Sequence, residues 1–390
     1  MPALKNLFES PDYGGIYIHV PFCRRKCRYC DFYSVSEVSL QPRYLKALID
    51  EMKLAADVHT GMEFDTLYLG GGTPSVLDTD ALADTIDSAD SIFKIRPGSE
   101  ITIEINPGTV DLDTLRHYLN YGVNRVNIGV QSFQEHNLKF LGRIHTTEEA
   151  ENALAWAHKA GFDNIGIDLI YGIPGQTVEN WKQDLARAHS HHPDHLSCYT
   201  LTYESGTPLA IDLAKGKFSP ADEDRVAQLY LTTIEVLQRF GYEQYETSNF
   251  VRDATLRSRH NCKYWYFASF LGLGPSSHSF FPPERSWNKA DLSAYLEDIE
   301  HGRRPVAGRE VLTREQLMIE AVYLGLRLTD GVDIAGFERC FGINFEVQFE
   351  RPLTVYMPTG MLVIADGRCR LSPQGMLLLD SIASSFIDQI

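Results

Sequence analysis

Tyr17-Ile-His-Val-Pro-Phe-Cys23-Arg-Arg-Lys-Cys27-Arg-Tyr-Cys30 places three cysteines on one short loop, directly after the apolar, β-type run Ile16 to Val20. The spacing is C-x3-C-x2-C. Three thiolates on such a loop can ligate three corners of a cuboidal iron–sulfur cluster, which leaves the fourth iron open to an outside ligand. A structural zinc site asks for four closed ligands, and no fourth Cys or His stands at zinc spacing nearby. A disulfide framework fits less well still. Three is an odd number, and the other four of the seven cysteines are scattered singly.

Working outward, apolar β-branched runs alternate with amphipathic stretches, the rhythm of βα units. The predicted strands are Gly15–Val20, Thr66–Leu69, Glu100–Ile105, Arg125–Val130, Asn164–Ile170 and His195–Leu201. Helical patterns run between them near 41–57, 78–93, 111–121, 146–160, 177–190 and 221–239. Thr146-Thr-Glu-Glu149 reads as a capping box opening the fourth of these. Strands so continuously apolar belong in a parallel sheet buried on both faces. The chain is too short for eight full units plus its tail, so a partial, six-stranded (β/α) barrel over residues 1–300 is expected. Functional groups should then gather at the C-terminal strand ends. Past residue 300 the pattern changes to a small, mainly helical α+β domain, 301–390. It carries helices near Arg314–Arg327, Ile334–Cys340 and Phe345–Glu350, then a hairpin from Leu362 to Leu371 turning at Asp366-Gly367.

Composition limits the function classes. A chain of 390 residues, 44% hydrophobic, can bury one large and one small core. Unpaired cysteines point to a reducing compartment. The start, Met-Pro-Ala-Leu-Lys-Asn-Leu-Phe-Glu-Ser, has no apolar core of signal-peptide length, and no run reaches membrane-spanning length. A cytoplasmic protein is expected. The formal charge of −16 argues against nucleic acid as a partner, which needs a basic footprint.

Polar chemistry follows the predicted strands. Gly70-Gly71-Gly72-Thr73-Pro74 ends the second, where glycines let backbone approach a ligand closely; an ordinary strand-to-helix turn is the alternative. Glu104 interrupts the apolar third strand, Gln131 ends the fourth, Arg143 lies in the loop beyond it, and Asp168 lies within the fifth. Each alone suits a structural pair, because a buried charge needs a partner. Four such groups around one barrel are better explained by a shared ligand.

The cysteine motif and its flanks resemble the radical S-adenosylmethionine (SAM) enzymes. In that family the open iron is chelated by the amino and carboxylate groups of SAM, and an electron from the cluster cleaves the sulfonium to a 5'-deoxyadenosyl radical. Together with G-G-G-T-P, G-V-Q-S-F, D-L-I-Y-G-I-P-G and H-N-C-K-Y-W, the resemblance over about residues 15–380 is to the oxygen-independent coproporphyrinogen III oxidase family. It implies a [4Fe–4S] cluster on Cys23, Cys27 and Cys30. It also implies SAM contacts from Tyr17, Tyr29, Gly71, Gly72, Thr73, Glu104, Gln131, Arg143, Asp168, Thr202 and His278. At Thr202 and His278 the family has other residue types, so these two rest on position alone.

One departure separates two branches. The oxidases carry C-x3-C-x2-C-x-C with a longer extension before the cluster, whereas here Phe32 takes the fourth cysteine's place and 22 residues precede Cys23. Both features, with His260-Asn261-Cys262-Lys263-Tyr264-Trp265, resemble the haem-chaperone branch, HemW, and put the decarboxylase activity in doubt. That branch implies haem as a ligand and an acceptor protein, with a membrane respiratory protein as one candidate. Residues 257–265 bring together an axial ligand (His260 or Cys262), an aromatic wall (Tyr264, Trp265) and cations for propionates (Arg257, Arg259, Lys263). By composition alone, a strand and loop of aromatic core suits the segment as well. The other readings are the radical decarboxylase of coproporphyrinogen III and a radical SAM enzyme on another substrate. His191-His192-Pro193-Asp194-His195 reads as a solvated helix end, and Cys198, Cys340 and Cys369 as small buried residues.

Overall fold

The computed structural model describes residues 13–59 and 61–390. The segment read above for a signal peptide lies outside the described residues. Six parallel strands build the frame in chain order: β1 (Gly14–Val20), β2 (Phe64–Gly71), β3 (Glu100–Ile105), β4 (Arg125–Gln131), β5 (Ile165–Tyr171) and β6 (His195–Thr200). Their crossovers are α1 (Gln41–Ala56), α2 (Thr79–Phe93), α3 (Leu112–Asn120), the pair α4 (Glu135–Leu141) and α5 (Thr147–Ala160), and α6 (Val178–Ser190). Ile16, Ile18, Leu67, Leu69, Ile103, Val126, Ile128, Ile165 and Ile167 are all fully buried, as a sheet covered on both faces requires. The capping box at α5 is formed: Thr146 accepts from the Glu149 N–H, and Glu149 accepts from the Thr146 N–H at 2.8 Å.

Beyond β6 come α7 (Pro208–Ala214), α8 (Glu223–Arg239), and the short strands β7 (Glu243–Gln244) and β8 (Asn249–Val251). Then follow α9 (Arg259–Trp265), β9 (Phe270–Leu273), β10 (His278–Phe281), β11 (Glu284–Asn288), α10 (Leu292–Glu300) and β12 (Val306–Val311). The sheet order is β12-β11-β10-β9-β1-β2-β3-β4-β5-β6-β8-β7. The six-stranded frame is thus extended at both edges and left open between them. β9 runs parallel to β1 out of chain order, with Tyr17 opposite Gly272. Sequence reasoning missed it because Phe-Leu-Gly-Leu is short and interrupted by glycine, a weak strand pattern.

The tail opens with α11 (Arg314–Arg327), started by a second capping box between Thr313 and Gln316. Helices Ile334–Phe341, Phe345–Gln348, Glu350–Tyr356 and Leu379–Ile387 surround a core of Phe337, Phe345, Phe349 and Phe386. The hairpin Leu362–Ala365 with Arg368–Leu371 turns at Asp366-Gly367, both at positive φ. β12 lies beyond residue 300 yet pairs with β11 of the large sheet. Its anchor to the barrel includes the Arg327 guanidinium, 4.5 Å over the Trp265 ring and 3.0 Å from Glu246.

Three expectations need correction. Residues 259–265 are helical and not a strand and loop, because the Ser258 hydroxyl caps the Asn261 N–H and starts a turn. His195 is buried, with Nε2 2.7 Å from the Tyr245 hydroxyl, since it begins β6 and does not end α6. Cys340 is half-buried, whereas Cys198 and Cys369 are buried as expected. No helix among the described residues is long and apolar enough to cross a membrane.

Candidate functional site

A cavity of about 470 Å³ opens at the C-terminal ends of β2 to β6 and is roofed by the cysteine loop. Cys23, Cys27 and Cys30 share its wall. So do Tyr29, Gly71, Gly72, Thr73, Glu104, Gln131, Arg143, Asp168 and Thr202. Residues from five strand ends, the cysteine loop and the loop carrying Arg143 therefore meet in one place. Among the described residues no three His, Cys, Asp or Glu converge as a single metal ion would require. The three free thiols instead spread over one wall.

The loop is held from several sides. The Cys23 N–H donates to Val35 O at 3.0 Å, and the Val35 N–H to Pro21 O at 2.7 Å. The Arg28 N–H donates to Leu141 O, and the Arg28 guanidinium pairs with Asp212 at 2.7 Å. Arg24 reaches Gly108 O, and Lys26 reaches Phe32 O. Arg143 donates to Cys27 Sγ at 3.5 Å and to Gly129 O at 2.7 Å, and it also binds Asn106 Oδ1. Asn106 in turn donates to Thr73 Oγ1 at 2.7 Å, and Thr73 lies 3.5 Å from Cys23 Sγ. One polar chain links the first thiol to the second. Burial pushes the Cys30 thiol up to about 11, with Cys27 and Cys23 adding to the rise.

Opposite the thiols, glycine is required sterically. Gly71 has φ of +101°, and a Cβ there would lie 2.5 Å from the His19 ring. A Cβ on Gly72 would lie 2.7 Å from the backbone oxygens of Val20 and Phe22. The Glu104 carboxylate accepts from the Tyr68 hydroxyl at 2.8 Å and from the Gly71 N–H at 3.2 Å. Burial pushes its carboxyl up to about 7, with the two donors opposing and Asp168 adding to the rise. Asp168 is also held above the ordinary carboxylate range by burial. Its Oδ2 accepts from Asn127 at 2.7 Å, while Asp168 Oδ1 and Asn127 Oδ1 are buried without a hydrogen bond. Orphaned acceptors on a cavity wall are what a polar ligand with amino or hydroxyl donors would satisfy. Together the thiols, the glycine cradle and these acceptors fit a cluster with a bound SAM.

Two residues of the predicted SAM set are elsewhere. Tyr17 lies deeper in the barrel, its hydroxyl 3.1 Å from His19 Nδ1 and its ring against Tyr68 and His260. His278 begins β10, which runs antiparallel to β9, and faces a second cavity beside Trp287. Sequence reasoning missed Asn106, Asn127 and Tyr199 on the wall of the first cavity. Asn127, a polar residue inside the apolar run Val126-Asn-Ile-Gly-Val, carried the same signal as Glu104.

The H-N-C-K-Y-W segment closes the other end of the barrel. The Arg259 and His260 N–H groups donate to the two oxygens of Glu100, the first residue of β3. Arg259 and Lys263 both pair with Asp65 near the start of β2, and Arg257 pairs with Asp330. His260 is buried with Nδ1 2.8 Å from Thr66 Oγ1 and Nε2 2.9 Å from the Tyr264 hydroxyl. Cys262 is buried against Tyr245 and Val251, and burial pushes its thiol up to about 12. The expected axial ligands and cations are therefore engaged within the floor. Of the four residues proposed to meet haem, Tyr264 lies on the wall of the second cavity.

The profile described as "Radical SAM superfamily" matches residues 17–188, and that described as "HemN C-terminal domain" matches residues 312–378. "Heme chaperone HemW" of Bacillus subtilis (strain 168) is 30% identical over 378 residues, covering 96% of this chain and 99% of that protein. The protein of the same description from Mycobacterium tuberculosis (strain ATCC 25618 / H37Rv) is 33% identical, covering 99% and 97%. The chain belongs to the HemW family of radical SAM proteins. "Radical S-adenosyl methionine domain-containing protein 1, mitochondrial" of Mus musculus is 30% identical, covering 97% of this chain and 88% of that protein. The structure of coproporphyrinogen III oxidase (HemN) from Escherichia coli covers 99% of this chain and 93% of its own, with a TM-score of 0.84 at 24% identity. This chain and that oxidase thus share one fold, and a radical SAM fold implies a [4Fe–4S] cluster and SAM.

Proposed function

We propose that this protein is a haem chaperone that binds haem and passes it to an acceptor protein. The observation that carries this reading is the similarity to proteins named as haem chaperones over nearly the whole length of both chains. The likeness to the oxidase, at 24% identity, speaks for the fold alone.

In this reading Cys23, Cys27 and Cys30 hold the [4Fe–4S] cluster at the strand-end cavity. When bound, the cluster supplies an open iron and an electron for SAM. Gly71 and Gly72 admit SAM closely to the backbone, Glu104 and Asp168 offer acceptors, and Arg143 balances charge beside Cys27. Phe32, 61% exposed at the rim, adds no fourth thiol where the oxidases have one.

The test has two arms on anaerobically reconstituted protein. Added haemin should give a saturable Soret band. With SAM, a reductant and coproporphyrinogen III, no protoporphyrinogen should form. Turnover to protoporphyrinogen would establish the oxidase instead, and failure to take up haemin would remove the chaperone reading.

A further inference from the structure

A second cavity of about 700 Å³ opens between β9–β11 and α11, away from the strand-end site. Small-molecule pockets span about 300–1,000 Å³, so a flat ligand of tetrapyrrole size is within range. Its walls are largely aromatic and apolar: Tyr264, Phe270, Phe280 and Trp287 on one side, Ile319 and Leu324 of α11 on the other.

His278 lies on this wall, its ring 6.1 Å from that of Trp287 with an interplanar angle of 29°. Among the described residues neither of its ring nitrogens makes a hydrogen bond, whereas both nitrogens of His260 are engaged. Partial desolvation by the cavity wall, and then the Arg285 guanidinium, hold the imidazole below its ordinary value. Arg285 is the wall's cation, lying 5.8 Å over the Phe280 ring and paired with Glu320 at 2.6 Å.

We propose that haem binds in this second cavity with His278 as its axial iron ligand, its ring lying against Phe270, Phe280 and Trp287. This rests on the haem-chaperone reading and gives it a place. Haem asks for one open imidazole, flat apolar walls and a cation near a propionate. All three occur here, whereas both ring nitrogens of His260 in the barrel floor are engaged. Arg285 would serve one propionate in competition with Glu320, and the open mouth leaves the other in water. The tail helix α11 lines one side of the site through Ile319, Glu320, Tyr323 and Leu324.

The test titrates the full-length reconstituted protein, and variants of it, with haemin and separately with iron-free protoporphyrin IX. His278→Ala should weaken haemin binding about tenfold or more and shift the Soret band. It should leave iron-free porphyrin binding unchanged, because only the iron contact is lost. Ile319→Glu, a partly exposed position, should weaken both. A His278→Ala protein with the wild-type Soret band and affinity overturns the site while leaving the chaperone reading standing. A wild type that takes up no haemin overturns both.

Discussion

The Tyr264 hydroxyl lies 2.9 Å from His260 Nε2, and this contact ties the barrel floor to the wall of the side cavity. The same imidazole stacks on Tyr68 at 5.0 Å, and Tyr68 donates to Glu104 in the strand-end cavity. A single column of rings and polar groups therefore spans the barrel between the two cavities.

Removing the middle of that column should cost stability. His260→Ala deletes a fully buried ring and two hydrogen bonds, about 3 kcal/mol by analogy with other buried aromatic truncations. Burial, and then Lys263, hold this imidazole down to about 3, so the folded protein keeps it neutral. In the unfolded chain it takes a proton near about 6.5. Its contribution is thus present above that value and is lost as pH falls toward 3. Urea unfolding at about pH 7.5 and about pH 5.5 should show wild type losing more stability on acidification than His260→Ala. Equal losses would mean that the imidazole is charged in the fold.

The barrel was legible because its strands are uniformly apolar: Glu100–Ile105 matches the sequence reading residue for residue, and the other five differ by one or two residues at an end. The strand-end site was legible for the same reason, since Glu104, Gln131 and Asp168 break that uniformity. What hid the rest was chain distance. β9 joins β1 from some 250 positions away, and no local pattern in Phe270-Leu-Gly-Leu announces it. His260-Asn-Cys-Lys-Tyr-Trp has the composition of a ligand site, but Glu100 and Asp65, on strands far upstream, claim its N–H groups and cations. Which residues a segment meets, and so whether a histidine is open or engaged, is a tertiary fact.

The cysteine loop makes a sharper prediction. Cys23→Ala, Cys27→Ala and Cys30→Ala should each abolish the cluster, because three thiolates are the complete protein set. Cys369→Ala, in the tail core, should leave it intact, as should Cys198→Ala and Cys340→Ala. Iron and sulfide content together with the broad visible absorbance decide it. A Cys27 variant with wild-type iron would remove the assignment.

Gly71→Val should block SAM while sparing the cluster. The residue combines a φ of +101° with a Cβ position 2.5 Å from the His19 ring, and His19 is itself fixed by Tyr33 O at 2.8 Å. The strand end beside the cavity must therefore shift. Asp168→Ala should weaken SAM more mildly, about tenfold, by removing acceptors from the wall. Equilibrium binding to reconstituted protein measures both. Unchanged affinity in the Gly71 variant would place SAM away from this glycine cradle.

The last prediction concerns a carboxyl outside both cavities. Glu51 of α1 is buried and accepts from the Gly274 N–H at 2.7 Å, the Tyr295 hydroxyl at 2.7 Å and Asn288 at 2.6 Å. It thereby clamps α1 to the turn after β9, to β11 and to α10. Burial pushes this carboxyl up to about 7 even though all three donors pull it down. The fold therefore favours the protonated form over the unfolded chain, whose carboxyl titrates near 4.5. The resulting stability is fully present below 4.5 and is lost as pH rises through 7, on the order of 3 kcal/mol across that window. Glu51→Gln keeps a carbonyl acceptor for Gly274 and Tyr295 without the titration. Its stability should fall less than wild type's between about pH 5 and about pH 8, while Glu51→Ala, which orphans three donors, should be weaker at both. If wild type and Glu51→Gln lose stability in parallel, the carboxyl is already ionised throughout, and the donors outweigh burial.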